Sequence, residues 1–364
     1  MFTDLYPPYV GGQPIRFHEL ASRLAARGHE VSVLCVATDP SSPLEAVEDG
    51  VRVTRWPRDD RYDNPIIGAT KRGVVSTVRY AAAVRRSLRQ RDIDIAYFNQ
   101  WPFLHVIAAP RRARRRSAVD WCELRSGAVY GAVQRMLPRL VAANYCVNDD
   151  LARRLSELAG VPVGYLPSGV DTARYWCEPA EKRQGLLFLG RLVDTKDLPL
   201  LVAGYAELWS RGVHLPLRVA GDGAQAADLR RMVDRLPAEA RECVELLGSV
   251  SEPDKARLLA ESQVLVLSSR REGFPIVVAE AMASGLPVAT VDRPDNGTHH
   301  VVERFGIGAT GPPTPSGLAG AIEATLHDWS TFSGRGRAAA SGLDWERVTD
   351  QFIEQTRQLL VRSR

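Results

Sequence analysis

Short, strongly apolar runs alternate with stretches of helical period along almost the whole chain, and halfway along the scheme begins again. In the first half the runs are "HEVSVLCV", "DIAYFN", "SAVDWC" and "AANYCVN". Amphipathic stretches such as "IRFHELASRLAARG", which Gly28 closes, and "GVVSTVRYAAAVRRSLRQR" separate them. In the second half "GLLFLGRL", "LPLRVAGDG", "CVELLGS", "VLVLSS" and "PVATVD" play the same part. Strands of this length, each followed by a helix, point to parallel sheets covered on both faces, hence an α/β protein. A length of 364 residues fits two such domains. The stretch "LPSGVDTARYWCEPAEKRQ" has turn residues and no periodicity, so the linker is expected there, dividing residues 1–167 from 168–345. The amphipathic "DWERVTDQFIEQTRQLLVRSR" closes the chain.

Composition narrows the function. A net charge of +4 suits an anionic small ligand and falls short of a nucleic-acid binder, so no nucleic-acid partner is expected. Five scattered cysteines (Cys35, Cys122, Cys146, Cys177, Cys243) suit neither a zinc site nor a disulfide framework and imply a reducing, cytoplasmic setting. No apolar run has the length of a membrane span, and the first residues lack the charged-then-apolar order expected of a signal peptide.

Doubly wound sheets bind ligands beyond the carboxyl ends of their strands, and two such domains facing one another would form a cleft. The chemistry is therefore expected in strand-to-helix loops. After "VLVLSS" come Glu272, Gly273 and Phe274, with Pro275 where a helix should start. A helix start offers free N–H groups and partial positive charge to a phosphate. Glu280 lies five residues beyond Pro275, about 7.5 Å along a helix. Two carboxylates so spaced would bracket a nucleotide-sugar, one near the sugar and one at the ribose. The plainer alternatives are a helix-start charge for Glu272 and a solvated helix residue for Glu280; the apolar neighbours "IVVA" and "AMA" argue against the latter. After "GLLFLG" come Arg191 and Lys196, five apart, able to neutralise a diphosphate without a metal. Lysine is scarce in an arginine-rich chain, which sets Lys196 apart from ordinary surface charge. Gly221 and Gly223 follow "LRVA", and Gly11 and Gly12 precede the first long helix; both pairs permit close backbone approach or serve as simple turns.

In this order, "YPPYVGG", "GVD" at 169–171, "LGRLVDTK", "VAGDG" and "REGFPIVVAEAMASGLPV" resemble glycosyltransferase family 4, over nearly the whole chain. The resemblance implies a GT-B fold of two Rossmann-like domains facing a central cleft, with residues 346–364 as a helix crossing back to the first domain. It implies a retaining, metal-independent glycosyltransferase with no cofactor, moving a hexose-type sugar from a nucleotide diphosphate-sugar (UDP favoured, then GDP) to an acceptor hydroxyl of a small molecule, natural product or glycan. Arg191 and Lys196 would hold the diphosphate, Glu272 the transferred sugar and Glu280 the ribose. Gly221, Gly273, Phe274, Pro275 and Ile276 would complete the donor site, and Gly12 would border the reaction centre.

Three departures from the family pattern bear on this. The histidine usual after the fourth strand of the first domain is replaced by "SAVDWCELRSG", so Trp121 and Glu123 stand in for it, with Gly11 and Trp101 on the acceptor side. His105 reads as structural. "DNGTHHVV" replaces a paired-glycine loop and its glutamate; His299 or His300 could touch the donor there. Only "MFTD" stands where an apolar first strand is expected, which implies a shortened strand or an upstream start, with exposed sheet edges as the result. "DID" at 92–94 precedes a strand and reads as a turn, not a metal motif. The run "RRARRRS" at 111–117 reads as a solvated connection, with weak peripheral contact to the inner membrane face as the alternative. Rival functions on the same architecture are a nucleotide-sugar epimerase and a silent nucleotide-sugar-binding partner subunit.

Overall fold

The computed structural model describes residues 1–9, 11–59 and 73–362. The described residues form two compact units: those up to 168 together with those from 345 onward, and residues 169–344.

The first unit carries β1 (Ser32–Ala37), β2 (Glu45–Glu48), β3 (Val51–Arg58), β4 (Ala96–Asn99), β5 (Ser117–Trp121), β6 (Ala143–Cys146) and β7 (Gly164–Tyr165). Its strands pair in the orders β1-β3-β2 and β4-β5-β6-β7. What joins these two sets is the N-terminal tetrapeptide. Phe2 bridges in parallel to both Leu34 of β1 and Phe98 of β4. The Phe2 N–H donates to Tyr97 O (2.8 Å), Asn99 N–H to Phe2 O (3.0 Å), Thr3 N–H to Leu34 O (3.2 Å) and Val36 N–H to Asp4 O (3.0 Å). "MFTD" therefore fills the central position, and the flanking strands that were expected to present open edges are hydrogen-bonded to it. Phe2, Thr3 and Asp4 are all buried there.

The antiparallel hairpin of β2 and β3 was not anticipated. Glu48 pairs with Val51, leaving Asp49-Gly50 as a two-residue loop with φ of 48° and 76°. Positive φ at both loop residues is the signature of a type I′ turn, which matches the twist of the flanking strands. The helix Trp345–Arg362 closes this unit by burying Trp345, Val348, Phe352 and Leu359 in its core. Gln351 and Gln355 side chains donate to Tyr165 O (2.7 and 3.0 Å), and Arg27 pairs with Glu346 (2.6 Å).

The second unit carries β8 (Leu186–Leu189), β9 (Leu217–Ala220), β10 (Val244–Gly248), β11 (Val264–Leu267), β12 (Val288–Val291) and β13 (Gly308–Gly311). All are parallel, in the order β10-β9-β8-β11-β12-β13. The inner strands are buried on both faces, which is why they read as continuous apolar runs. The order reverses between β8 and β11, so the loops leaving these two strands diverge and open a crevice at their carboxyl ends.

Most of the stretch read as a linker belongs to this unit. Arg183 is buried and donates to Glu178 O (3.0 Å), Leu259 O (3.1 Å) and Ser262 O (3.0 Å); burial lowers its pKa. The chain leaves and re-enters the unit at one place, where Val170 bridges Asp344 and its N–H donates to Leu343 O (2.8 Å).

Candidate active site

The crevice between β8 and β11 gathers the motif residues of the second unit. Lys196 ends a 3₁₀ turn (Asp194–Lys196) after β8, and Glu272 lies in the loop after β11. The Lys196 ammonium donates to Glu272 Oε1, which also accepts from Ser269 Oγ at 3.3 Å. Both side chains keep some exposure, 13% and 18%, so the pair is held in place yet open to a ligand.

The backbone around them is tightly fixed. Ser268 Oγ donates to Lys196 O (2.8 Å) and Arg270 N–H to Thr195 O (2.8 Å), which lashes the two loops together. Asp197, directly after the lysine, has a left-handed backbone (φ 51°, ψ 54°) and a buried carboxylate that bridges Arg270 (3.1 Å) and Arg293 (2.5 Å). An aspartate in this conformation is uncommon, and its two arginine partners hold it there. Glu272 is pinned on its other side: its N–H donates to Asp295 O (3.1 Å) and its carbonyl accepts from Gly297 N–H (2.7 Å). The segment that replaces the paired-glycine loop thus supports the Glu272 backbone. Within that segment His299 is buried, its Nδ1 bonded to Asn296 O (2.5 Å) and its Nε2 3.3 Å from Asp292.

Pro275 is the N-cap of the helix Ile276–Ala283 and not its first residue; it and Phe274 are buried, while Gly273 and Ile276 are partly open. Glu280 is buried at 7% exposure, so it is no solvated helix residue. Its Oε1 accepts from Tyr175 Oη (2.8 Å) and from Lys255 Nζ (2.7 Å). Lys255 also reaches Glu252 at 2.8 Å. Burial and then the Glu280 charge raise the Tyr175 hydroxyl far above the usual phenol range. Burial opposes the Lys255 charge, yet Glu280 and Glu252 together hold it above the ordinary lysine value. Neither Tyr175 nor Lys255 was singled out from sequence. The scarcity of lysine was the signal for the second; nothing in "DTARYWC" marks the first.

Arg191 is exposed on the loop after β8. The glycines of the β9 loop have a packing role. A Cβ on Gly221 (φ 144°) would lie 1.9 Å from Gly190 O, and one on Gly223 (φ 155°) 2.5 Å from Leu192 O. These glycines let the β8 and β9 loops interlock, a reason independent of any base or ribose. Gly221→Ala should destabilise the second unit by at least 1–3 kcal/mol, read as a lowered unfolding midpoint in urea; an unchanged midpoint would remove the packing explanation.

In the first unit the analogous reversal lies between residues 1–4 and β4. Asn99, at the end of β4, donates to Asp4 Oδ1 (2.7 Å) and accepts from Trp101 N–H (2.7 Å), and Gln13 Nε2 donates to Thr3 Oγ1 (2.7 Å). Gly11 is the N-cap of the helix Gly12–Ala26, and Gly12 is exposed. Gly11 has extended backbone (φ 171°), and a Cβ there would meet nothing closer than 3.5 Å, so neither conformation nor packing requires glycine. Trp101 is largely buried beneath the Arg125 guanidinium, 3.9 Å from its ring, and Arg125 pairs with Glu123 at 2.6 Å. Gln100 fixes this loop by accepting from Cys122 N–H (2.8 Å) and donating to Glu123 O (3.0 Å).

Trp121 has to be withdrawn from the acceptor side. It is fully buried in β5 with Nε1 donating to Asn144 Oδ1 (2.9 Å), so it is a core residue. His105 is likewise enclosed, its ring between Tyr80 (5.4 Å) and Phe98 (5.5 Å). Sequence reasoning also passed over Arg16, which is 1% exposed and makes a bidentate pair with the neighbouring β5 residue Asp120 (2.8 and 2.9 Å). The same guanidinium donates to Leu166 O (2.9 Å) and Pro167 O (2.5 Å), tying the first helix to the chain's exit from the unit.

The comparisons with known proteins agree with this architecture. A family model described as a glycosyl transferase 4-like domain matches residues 11–167, and one described as glycosyl transferases group 1 matches residues 177–340. Among curated proteins, a glycogen synthase of Mycobacterium tuberculosis is 27% identical over 94% of this chain and 90% of its own length. A phosphatidyl-myo-inositol mannosyltransferase of the same organism is 26% identical over 94% and 92%. Among solved structures, sucrose-phosphate synthase from Thermosynechococcus elongatus superposes with a TM-score of 0.80 at 19% identity, covering 99% of both chains. Anabaena HepE in complex with UDP superposes with a TM-score of 0.74 at 18% identity, covering 98% of both. The fold and the crevice define a GT-B glycosyltransferase, an enzyme that transfers sugar from a nucleotide-sugar. The chain is a glycosyltransferase of the family 4 type.

Proposed function

We propose that this enzyme is a retaining, metal-independent hexosyltransferase that uses a nucleotide diphosphate-sugar, with UDP the favoured nucleotide, and transfers to an acceptor hydroxyl on a small molecule, natural product or glycan. The observation that carries the reading is the meeting of Lys196 and Glu272 at the strand-order reversal, with Glu280 buried in the helix that follows. The solved structures of Anabaena HepE with UDP and glucose, and of the pneumococcal O-GlcNAc transferase GtfA with UDP and GlcNAc, support UDP as the nucleotide.

Arg191 and Lys196 take the diphosphate, whose charge displaces Glu272 as the counter-ion of Lys196. Glu272 is then released to accept hydrogen bonds from the transferred sugar, and the N–H groups at the start of helix Ile276–Ala283 face the phosphates. Glu280 receives the ribose hydroxyls, its carboxylate oriented by Tyr175 and Lys255. The leaving phosphate helps to deprotonate the acceptor on the same face, so the anomeric configuration is retained. Preorganised cations that meet charge developing on the leaving group supply most of the rate enhancement. Glu123, Trp101 and Gly11 border the acceptor, and Gly12 borders the reaction centre.

A thermal-shift series with UDP-, GDP-, ADP- and dTDP-sugars identifies the donor, because a ligand of the native state raises its apparent stability. NMR of the product reports the anomer. An inverted anomer, or conversion of the donor without an acceptor, would overturn the reading. EDTA should leave the transfer rate unchanged. The Lys255→Met variant should raise KM for the donor roughly tenfold, the equivalent of one charged hydrogen bond lost at Glu280. The folded-state pKa of Lys255 is raised, so its contribution is complete at neutral pH and is lost only as pH climbs past the ordinary lysine range, about pH 10. A donor KM that rises between pH 7 and about 9 would contradict that assignment.

A further inference from the structure

At the amino ends of β4 and β5, on the sheet edge opposite the loops that carry Trp101 and Glu123, the first unit contains a cavity of about 440 Å³. Its lining includes Arg89, Arg91, Arg112 and Arg116, with Asp92 the one carboxylate. The four arginines come from two separate segments: the end of the helix Val74–Gln90 with its following residue, and the short helix Arg111–Arg114 with the turn into β5. Among the described residues none of the four is paired with a carboxylate, unlike Arg16, Arg23, Arg27, Arg55 and Arg125; Arg85 and Arg139, also without a carboxylate, donate to carbonyls and lie apart from the cavity.

A helix C-terminus attracts cations, which accounts for Arg89 and Arg91 on their own. It does not account for Arg112 and Arg116 converging on the same cavity from another element. Guanidiniums gathered without counter-ions repel one another and concentrate a positive potential. The planar fork of arginine matches phosphate oxygens in a bidentate manner. The volume lies within the range of sites for small organic ligands.

We propose that this cavity is a second anion site, which binds a phosphate-bearing group away from the transfer chemistry. Two sources share that chemistry: a soluble phosphorylated compound and the headgroup of an anionic lipid.

The test uses the full chain. Inorganic pyrophosphate is titrated by calorimetry against the wild type, Arg112→Gln/Arg116→Gln, Arg89→Gln/Arg91→Gln, and Lys196→Ala. In parallel, co-sedimentation is measured with phosphatidylglycerol and with phosphatidylcholine vesicles. The proposal expects binding that weakens at least tenfold in each double-arginine variant, persists in Lys196→Ala, and declines with added salt. Pyrophosphate binding with that pattern assigns a soluble ligand. Sedimentation with phosphatidylglycerol alone, lost in the same variants, assigns the lipid headgroup. Pyrophosphate binding abolished by Lys196→Ala and untouched by the arginine changes would locate it at the donor site and overturn the proposal. So would the absence of binding in both arms. Circular dichroism confirms that the exposed substitutions leave the fold intact.

Discussion

Replacing Glu272 with alanine is expected to lower kcat/KM for sugar transfer by a factor on the order of 10² or more, the scale for removing one preorganised polar contact from a reaction centre. The unfolding midpoint should change little. Glu272 and Lys196 are partly open to solvent, so the ammonium left behind is hydrated, and a pair of this exposure is worth roughly 1 kcal/mol at most. Glu272→Gln separates two contributions: it retains an acceptor oxygen for the sugar hydroxyls and removes the charge that balances Lys196. If Lys196 exchanges Glu272 for the donor diphosphate, donor affinity should fall far more in Lys196→Ala than in Glu272→Gln. Wild-type turnover in Glu272→Ala would end the assignment.

The largest stability effect is expected at Asp120. Its carboxylate and the Arg16 guanidinium are almost wholly enclosed, at 0% and 1% exposure. Burial opposes the Arg16 charge, and the adjacent Asp120 holds it ionised above even the usual arginine range. Asp120→Ala leaves that charge inside the protein with only the Leu166 and Pro167 carbonyls, at a cost of about 3–5 kcal/mol. For a unit of this size the first unfolding transition should fall by roughly 10 °C in calorimetry. The double change Arg16→Met/Asp120→Leu should recover much of the loss, because the expense arises from the orphaned charge. A drop of under about 1 kcal/mol in Asp120→Ala would mean that the pair is hydrated and the packing looser than described.

Much of this architecture was legible in the residues. The buried strands of the second unit are apolar on both faces, so they announced themselves to within a residue or two, and the loops after them held the expected side chains. The hairpin of β2 and β3 has its own local signal in Asp49-Gly50 between alternating residues, set within a chain whose other strands are parallel. Two segments were not legible. "MFTD" is too short to carry a period, and only hydrogen bonds to strands some 30 and 95 residues away make it a strand. Residues 169–184 have no period because they pack through single side chains, Tyr175 and Arg183, and not through a repeating face.

Local pattern by itself determined the alternating α/β order, the two-domain division and the placing of Arg191, Lys196 and Glu272 in the loops after strands, with Glu280 in the helix that follows, since periodicity and turn chemistry act over a few residues. The tertiary structure decided which loops meet. Lys196 and Glu272 are 76 residues apart and come together because β8 and β11 are neighbours where the strand order reverses. Lys255 and Tyr175 reach Glu280 across 25 and 105 residues. Contacts of that kind depend on sheet order and burial, which no short stretch of sequence expresses.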